Sequence, residues 1–74
     1  MADARDYVIW SFEHDAWWGP GRCGYVLELA AAGRYTKDEA LAIQTDANRY
    51  RSTIFEQALP LAEAERGGPP PRPR

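Results

Sequence analysis

The sequence predicts a small α+β domain in which two strands, one helix and a short third strand follow one another as ββαβ. Two runs rich in Tyr, Val, Trp and Leu, at 7–12 and 24–29, predict the first two strands. A helix-capping motif at 36–39 then opens an amphipathic stretch. With 74 residues, the chain is long enough for one small core.

The first predicted strand, 7–12, reads YVIWSF. Because side chains alternate across a strand, Val8 and Trp10 lie on one face and Tyr7 and Ile9 on the other. Both faces are largely apolar, which is typical of a central strand.

Residues 13–23 are predicted to form a long aromatic loop, with a turn at Pro20 between two glycines. In the second strand, 24–29, one face is expected to be buried and the other more exposed to solvent. The buried face would carry Tyr25, Leu27 and Leu29, and the exposed face Val26 and Glu28. Its proximity to the first strand predicts an antiparallel hairpin.

The helix is predicted at 37–50. Thr36 and Glu39 have the spacing of a capping box, in which each side chain accepts a hydrogen bond from the other residue's backbone N–H. The polar side of this helix, which includes Gln44, is expected to face solvent.

Residues 53–64 fit two alternatives. A short helix could end at Pro60, or a third strand could run there, with the proline tolerated only on an edge strand. Propensity slightly favours the helix. With a strand at 55–60, the predicted sheet order is 2-1-3 with all neighbours antiparallel. Residues 1–66 would form the domain and 67–74, which end in PPPRPR, a disordered tail.

Composition narrows the class of protein. One cysteine and one histidine allow neither an internal disulfide nor a structural zinc site, so no metal or cofactor is expected. A core of this size stabilises a fold weakly, which makes a homo-oligomer or a partner-stabilised protein plausible. The charged start, the free thiol and the lack of a long apolar run predict a cytoplasmic protein that does not enter membranes.

Charge argues against nucleic acid as the main partner. Residues 1–65 carry six basic and eleven acidic side chains, a net charge of −5. Binding to a phosphate backbone needs a basic stripe instead.

The stretch 7–25 holds every tryptophan, the histidine and the cysteine, and is the best candidate for a binding surface. The predicted partner-binding residues are Trp10, Glu13, His14, Trp17, Trp18 and Arg22. Consecutive tryptophans on extended backbone face opposite ways, so one is expected in the core and the other exposed. The pattern does not decide which of the two is exposed, and the alternative, in which both indoles fold over the small sheet as a lid of the core, stays open.

Glu13 and His14 form the minimum of an acid–base pair. No serine or cysteine stands in a recognisable nucleophile context, and adjacent residues on a strand end point apart. We therefore expect no catalytic residues and no enzyme activity.

Two stretches carry a resemblance. The run WSFEH, WW, P and GY, followed by AGRYTKDEA, resembles a family of small, largely uncharacterised bacterial and phage proteins. Their pattern is roughly WSNEHxxWWxPNxxGYT and then AGxYsxxEA. The two asparagines of that pattern are replaced here by Phe12 and Gly21. The resemblance covers 7–50, and the similar ending around 56–60 implies a third strand there.

These observations predict a non-enzymatic protein-binding module. The resemblance narrows this to a phage-type inhibitor or accessory protein that acts on a host defence protein. The alternative is a domain that binds a small molecule, a nucleotide or single-stranded nucleic acid through the aromatic loop.

Overall fold

The computed structural model describes residues 4–49 and 55–71. It has an α+β fold with one four-stranded antiparallel sheet and two helices, which confirms the predicted class and the antiparallel pairing. The elements are β1 (Tyr7–Ser11), β2 (Ala16–Trp18), β3 (Tyr25–Val26), α1 (Lys37–Asn48), β4 (Glu56–Pro60) and α2 (Leu61–Gly67).

The sheet order is β3-β2-β1-β4. β1 is central, as predicted, and pairs with β4 from Tyr7↔Pro60 to Ser11↔Glu56. The predicted ββαβ chain with three strands in the order 2-1-3 is wrong in detail, because β2 lies inside the predicted loop and pairs with β1 through Trp10↔Trp17.

A tight turn at 12–15 makes the additional strand possible. The Ser11 hydroxyl oxygen accepts a hydrogen bond from the His14 backbone N–H at 3.1 Å, and Asp15 adopts the left-handed conformation at φ 50°. The chain therefore reverses its direction within the four residues that separate β1 from β2. The second predicted strand then pairs with β2 and not with β1.

The burial expected for 24–29 is also wrong. Tyr25 is 44% exposed and Leu27 80% exposed, whereas Val26 is half-buried against the core. Pairing with Trp17 places Val26 on the buried face of β2, and alternation then turns Tyr25 to the other face. Alternation in the sequence shows which residues share a face, but not which face is covered.

A core lies on each face of the sheet. On the α1 face, Ile9, Tyr35, Ala40 and Ile43 pack together. On the α2 face, the buried cluster consists of Val8, Trp17, Ala32, Leu59 and Ala64. The predicted alternation along β1 is confirmed, but a second helix covers the face for which no cover was predicted.

The stretch 53–64, for which the sequence allowed either a helix or a strand, contains a strand followed by the start of a helix in its described residues. Residues 56–60 form the edge strand β4, with Pro60 as its last residue, and α2 begins immediately at Leu61. The Leu61 backbone N–H donates to the Asp6 carbonyl at 2.7 Å, which holds the start of α2 beside the start of β1. Residues 50–54 lie outside the described part of the chain.

α1 closes the outer edge of β4 with side-chain amides. The Asn48 oxygen accepts hydrogen bonds from the backbone N–H groups of Phe55 (2.8 Å) and Glu56 (3.2 Å), and the Gln44 oxygen accepts one from Ala58 (2.6 Å). Gln44 is therefore half-buried, and the prediction that it belongs to the solvated side of α1 is wrong. Pro60 has no N–H to satisfy.

The predicted start of the helix is confirmed, but α1 ends earlier than predicted. The Thr36 hydroxyl accepts the Glu39 N–H at 3.1 Å, and the Glu39 carboxylate accepts the Thr36 N–H at 3.0 Å. This backbone hydrogen bond holds the pKa of Glu39 below its usual value, so its contribution to stability is lost as pH falls through that lowered pKa. α1 ends at Asn48, and the predicted last residue, Tyr50, lies outside the described residues.

Thr36→Ala is expected to lower the free energy of unfolding by about 0.5–2 kcal/mol, because it removes the N-cap acceptor. Thr45→Ala is the matched control, since Thr45 is exposed within α1 and alanine is the better helix former. Urea titrations of both variants measure the difference. Equal midpoints for the two would show that the capping box adds nothing.

The predicted boundary between domain and tail stays a prediction. α2 continues through Gly67, and the Gly68 backbone N–H donates to the Ala64 carbonyl at 2.7 Å. Residues 72–74 lie outside the described chain.

Candidate functional site

The structure divides the six predicted binding residues between the two faces of the sheet. Trp17 is 2% exposed and belongs to the core on the α2 face. Trp10 is half-buried on the same face and meets Trp17 edge-on, with ring centroids 4.9 Å apart. This contact makes both residues part of the packing around α2, and Trp17 has no surface left for a partner.

Trp18 faces the α1 side. It is half-buried and packs against the cluster around Ile9 and Ile43, so its exposure lies between the two alternatives that the sequence left open. Its indole nitrogen is shielded from solvent, and no described residue accepts its hydrogen. A buried N–H without an acceptor costs free energy, and a bound group could reach this atom only if the side chains that cover it moved.

Glu13 and His14 lie on the exposed turn between β1 and β2. The His14 ring stacks on Tyr25 with centroids 3.9 Å apart and planes 24° apart. Tyr25 in turn meets Trp18 edge-on at 6.2 Å. The side-chain rings of His14, Tyr25 and Trp18 therefore lie in contact, one after another.

Sequence reasoning missed Tyr25 as a site residue, because the strand pattern assigned it to the core. The signal that could have identified Tyr25 is its position within the aromatic-rich stretch 7–25. Burial raises the pKa of the Tyr25 phenol, and the negative charges of Glu56 and Glu13 raise it further. The phenol is therefore protonated at neutral pH and can donate a hydrogen bond.

Arg22 is positioned by its backbone. It has φ 60°, and its N–H donates to the Tyr35 hydroxyl at 3.0 Å. That hydroxyl donates to the Gly19 carbonyl, so the buried Tyr35 ties the Gly-Pro-Gly turn to the start of α1. The predicted turn at Pro20 is present as a short 3-10 turn at Pro20–Arg22.

A groove of about 640 Å³ lies between this turn and α1. Within residues 4–49 and 55–71, α1 packs mainly on β4 and β1 and leaves the β2 and β3 half of the sheet face without a helix over it. The residues that line the groove include Trp18 and Arg22 on one side and Leu41, Ala42, Ile43 and Thr45 of α1 on the other. The Leu41 side chain is 40% exposed. We call the space between the turn and α1 the Trp18 groove.

Glu13 and His14 are adjacent ionisable residues of the turn between β1 and β2. Glu13 and His14 are 4.0 Å apart, and both side chains are about half exposed. Among residues 4–49 and 55–71, no three His, Cys, Asp or Glu side chains are placed to hold a metal ion. Neither described helix is long and apolar enough to cross a membrane.

Comparisons with known proteins found no matching family model, no matching curated protein and no matching solved structure.

Proposed function

We propose that the protein is a non-enzymatic protein-binding module that receives a segment of its partner in the Trp18 groove. The observation that carries this proposal is the position of Trp18. Its ring lines an open groove that the exposed side chain of Leu41 also lines.

The surroundings of Trp18 have the composition of an interface anchor. Tryptophan, tyrosine and arginine are the residues most enriched where truncation weakens binding, and here Trp18, Tyr25 and Arg22 lie in neighbouring positions. The exposed side chain of Leu41 adds apolar surface on the α1 side. A partner that covers Leu41 and Tyr25 would remove both from water.

A small molecule is the second candidate ligand. The volume of the groove falls within the range of about 300–1,000 Å³ that is typical of small-molecule sites. Single-stranded nucleic acid fits less well, because the net charge of −5 over residues 1–65 repels phosphates. The narrower role of a phage-type inhibitor of a host protein rests on the sequence resemblance alone.

Leu41→Glu is expected to weaken partner binding at least tenfold, about 1.4 kcal/mol, because it places a charge in an apolar contact. The full chain would be used to capture partners from a lysate of the source cell, and titration calorimetry would then measure the affinity of the captured protein. Ala62→Glu adds the same charge at an exposed position on α2, on the opposite face of the sheet, and should bind normally.

The outcomes separate the candidates. Capture of the same protein by both variants with equal affinity would exclude the Trp18 groove as the binding surface. A small molecule that purifies with the wild-type chain and is lost from Leu41→Glu would favour the second candidate. Capture of a host protein, lost only in Leu41→Glu, would support the inhibitor role.

A further inference from the structure

The charges that line the Trp18 groove are unlike those of the rest of the chain. Its charged lining residues are Arg22, Asp46 and Arg49, and two arginines against one aspartate give a net charge of +1. Residues 1–65 as a whole carry a net charge of −5. A positive groove on an acidic chain favours a negatively charged group of a ligand over a positive one.

The two arginines differ in how far their charge is already balanced. The Arg49 guanidinium lies 3.8 Å from the Asp46 carboxylate, three residues before it on α1. The Arg22 side chain, by contrast, forms no ion pair and no hydrogen bond with any residue in the described part of the chain. Arg22 is therefore the residue of the groove whose charge is left for a ligand.

The backbone of Arg22 is held in a conformation that is unfavourable for arginine. Its φ of 60° lies in the left-handed region, which glycine adopts without the penalty that a Cβ brings. The Arg22 N–H donates to the hydroxyl of the buried Tyr35 at 3.0 Å, which fixes this backbone on the core. Strained backbone of this kind clusters at functional sites. Among the described residues, the Arg22 side chain makes no polar contact that would offset the strain.

The charges near Tyr25, outside the groove, are negative. Tyr25 meets the Trp18 ring edge-on at 6.2 Å. Burial raises the pKa of its phenol, and the negative charges of Glu56 and Glu13 raise that pKa further. A ligand carboxylate beside Tyr25 would be repelled by the same two glutamates, so Arg22 is the position that remains for it.

We infer that the segment received in the Trp18 groove is an acidic–apolar peptide, whose apolar side chain packs between Trp18 and Leu41 and whose Asp or Glu carboxylate pairs with the Arg22 guanidinium. The inference rests on the proposed function and names the chemistry of the partner segment. A guanidinium can donate two parallel hydrogen bonds to one carboxylate, which fixes the orientation of the bound segment. An apolar contact alone has no such direction.

Peptide selection on the full chain tests this chemistry. A phage-displayed library of random peptides would be selected on the immobilised wild-type chain, with Leu41→Glu as the counter-selection. We expect the enriched peptides to carry Asp or Glu close to an aromatic or aliphatic residue. Enriched peptides that need Leu41 but share no acidic residue would overturn the inference and leave the proposed function standing. If no peptide distinguishes the wild-type chain from Leu41→Glu, both are overturned.

Arg22→Gly separates binding from folding. Glycine relieves the left-handed backbone, so this variant should melt at the temperature of the wild-type chain or above it. It should nevertheless bind the most enriched peptide about tenfold more weakly, because a charge-assisted hydrogen bond is lost. Wild-type affinity in Arg22→Gly would overturn the inference.

A double-mutant cycle tests the contact itself. The most enriched peptide and its Asp→Asn or Glu→Gln analogue would be titrated against the wild-type chain and Arg22→Gln. If the carboxylate pairs with Arg22, each single change weakens binding about tenfold, and both together weaken it little more than one. Arg66→Gln is the matched control, because Arg66 is exposed on α2 and its loss should leave both affinities unchanged. Losses that multiply would place the carboxylate elsewhere and overturn the inference.

Discussion

Trp17→Ala is expected to remove most of the stability of the fold. Trp17 is 2% exposed and packs among Val8, Leu59 and Ala64, at the point where β2 meets the layer that contains α2. Truncation of a buried tryptophan to alanine costs about 3–5 kcal/mol. That is as much as the core of so small a domain supplies, about 3–5 kcal/mol, so a large share of the molecules should be unfolded at 25 °C.

Trp18→Ala is the matched comparison, because it removes the same ring from the next residue. Trp18 is half-buried, and its loss should lower the urea midpoint by a smaller amount while leaving a cooperative transition. Both variants would be measured by near-UV circular dichroism during urea titration. Equal losses of stability would mean that Trp18 is as important to the core as Trp17, and would weaken its assignment to binding.

Gly33→Ala is expected to destabilise by more than about 2 kcal/mol, because the added carbon has no space. A Cβ at this position would lie 2.5 Å from the Gly19 carbonyl oxygen and 2.9 Å from the Pro20 Cα, both backbone atoms that cannot rotate away. Separating the two segments would strain the hydrogen bond from the Gly33 N–H to the Trp18 carbonyl, which is 2.9 Å long.

Gly67→Ala is the control for this substitution. Nothing lies within 4 Å of a Cβ at Gly67, which is the last residue of α2, so alanine should be neutral or slightly stabilising. Thermal unfolding of both variants gives the comparison. A normal melting temperature for Gly33→Ala would show that the turn at 19–22 can move away from residue 33 without cost, and that the Trp18 groove has a mobile wall.

The candidate site was predicted only in part, and particular residues show why. The aromatic-rich stretch identified the region, and Trp18, Glu13, His14 and Arg22 do lie on or beside the proposed surface. Trp17 and Trp10 pack on the opposite face. Tyr25 was assigned to an apolar pattern typical of a core, yet it is exposed. Whether an apolar side chain is covered depends on the element packed over it, which local pattern does not contain.

The sequence alone determined the features that arise from neighbouring residues. The Thr36 capping box follows from a fixed spacing, the two apolar faces of β1 follow from alternation, and the turn at Pro20 follows from fixed and free φ angles. Tertiary structure decided the rest. Residues 16–18 become a strand because a four-residue turn lets Trp17 pair with Trp10, a contact whose stability comes from burial under α2. The Trp18 groove exists because α1 is held over β4 and β1 by Gln44 and Asn48, so that half of the sheet face stays open.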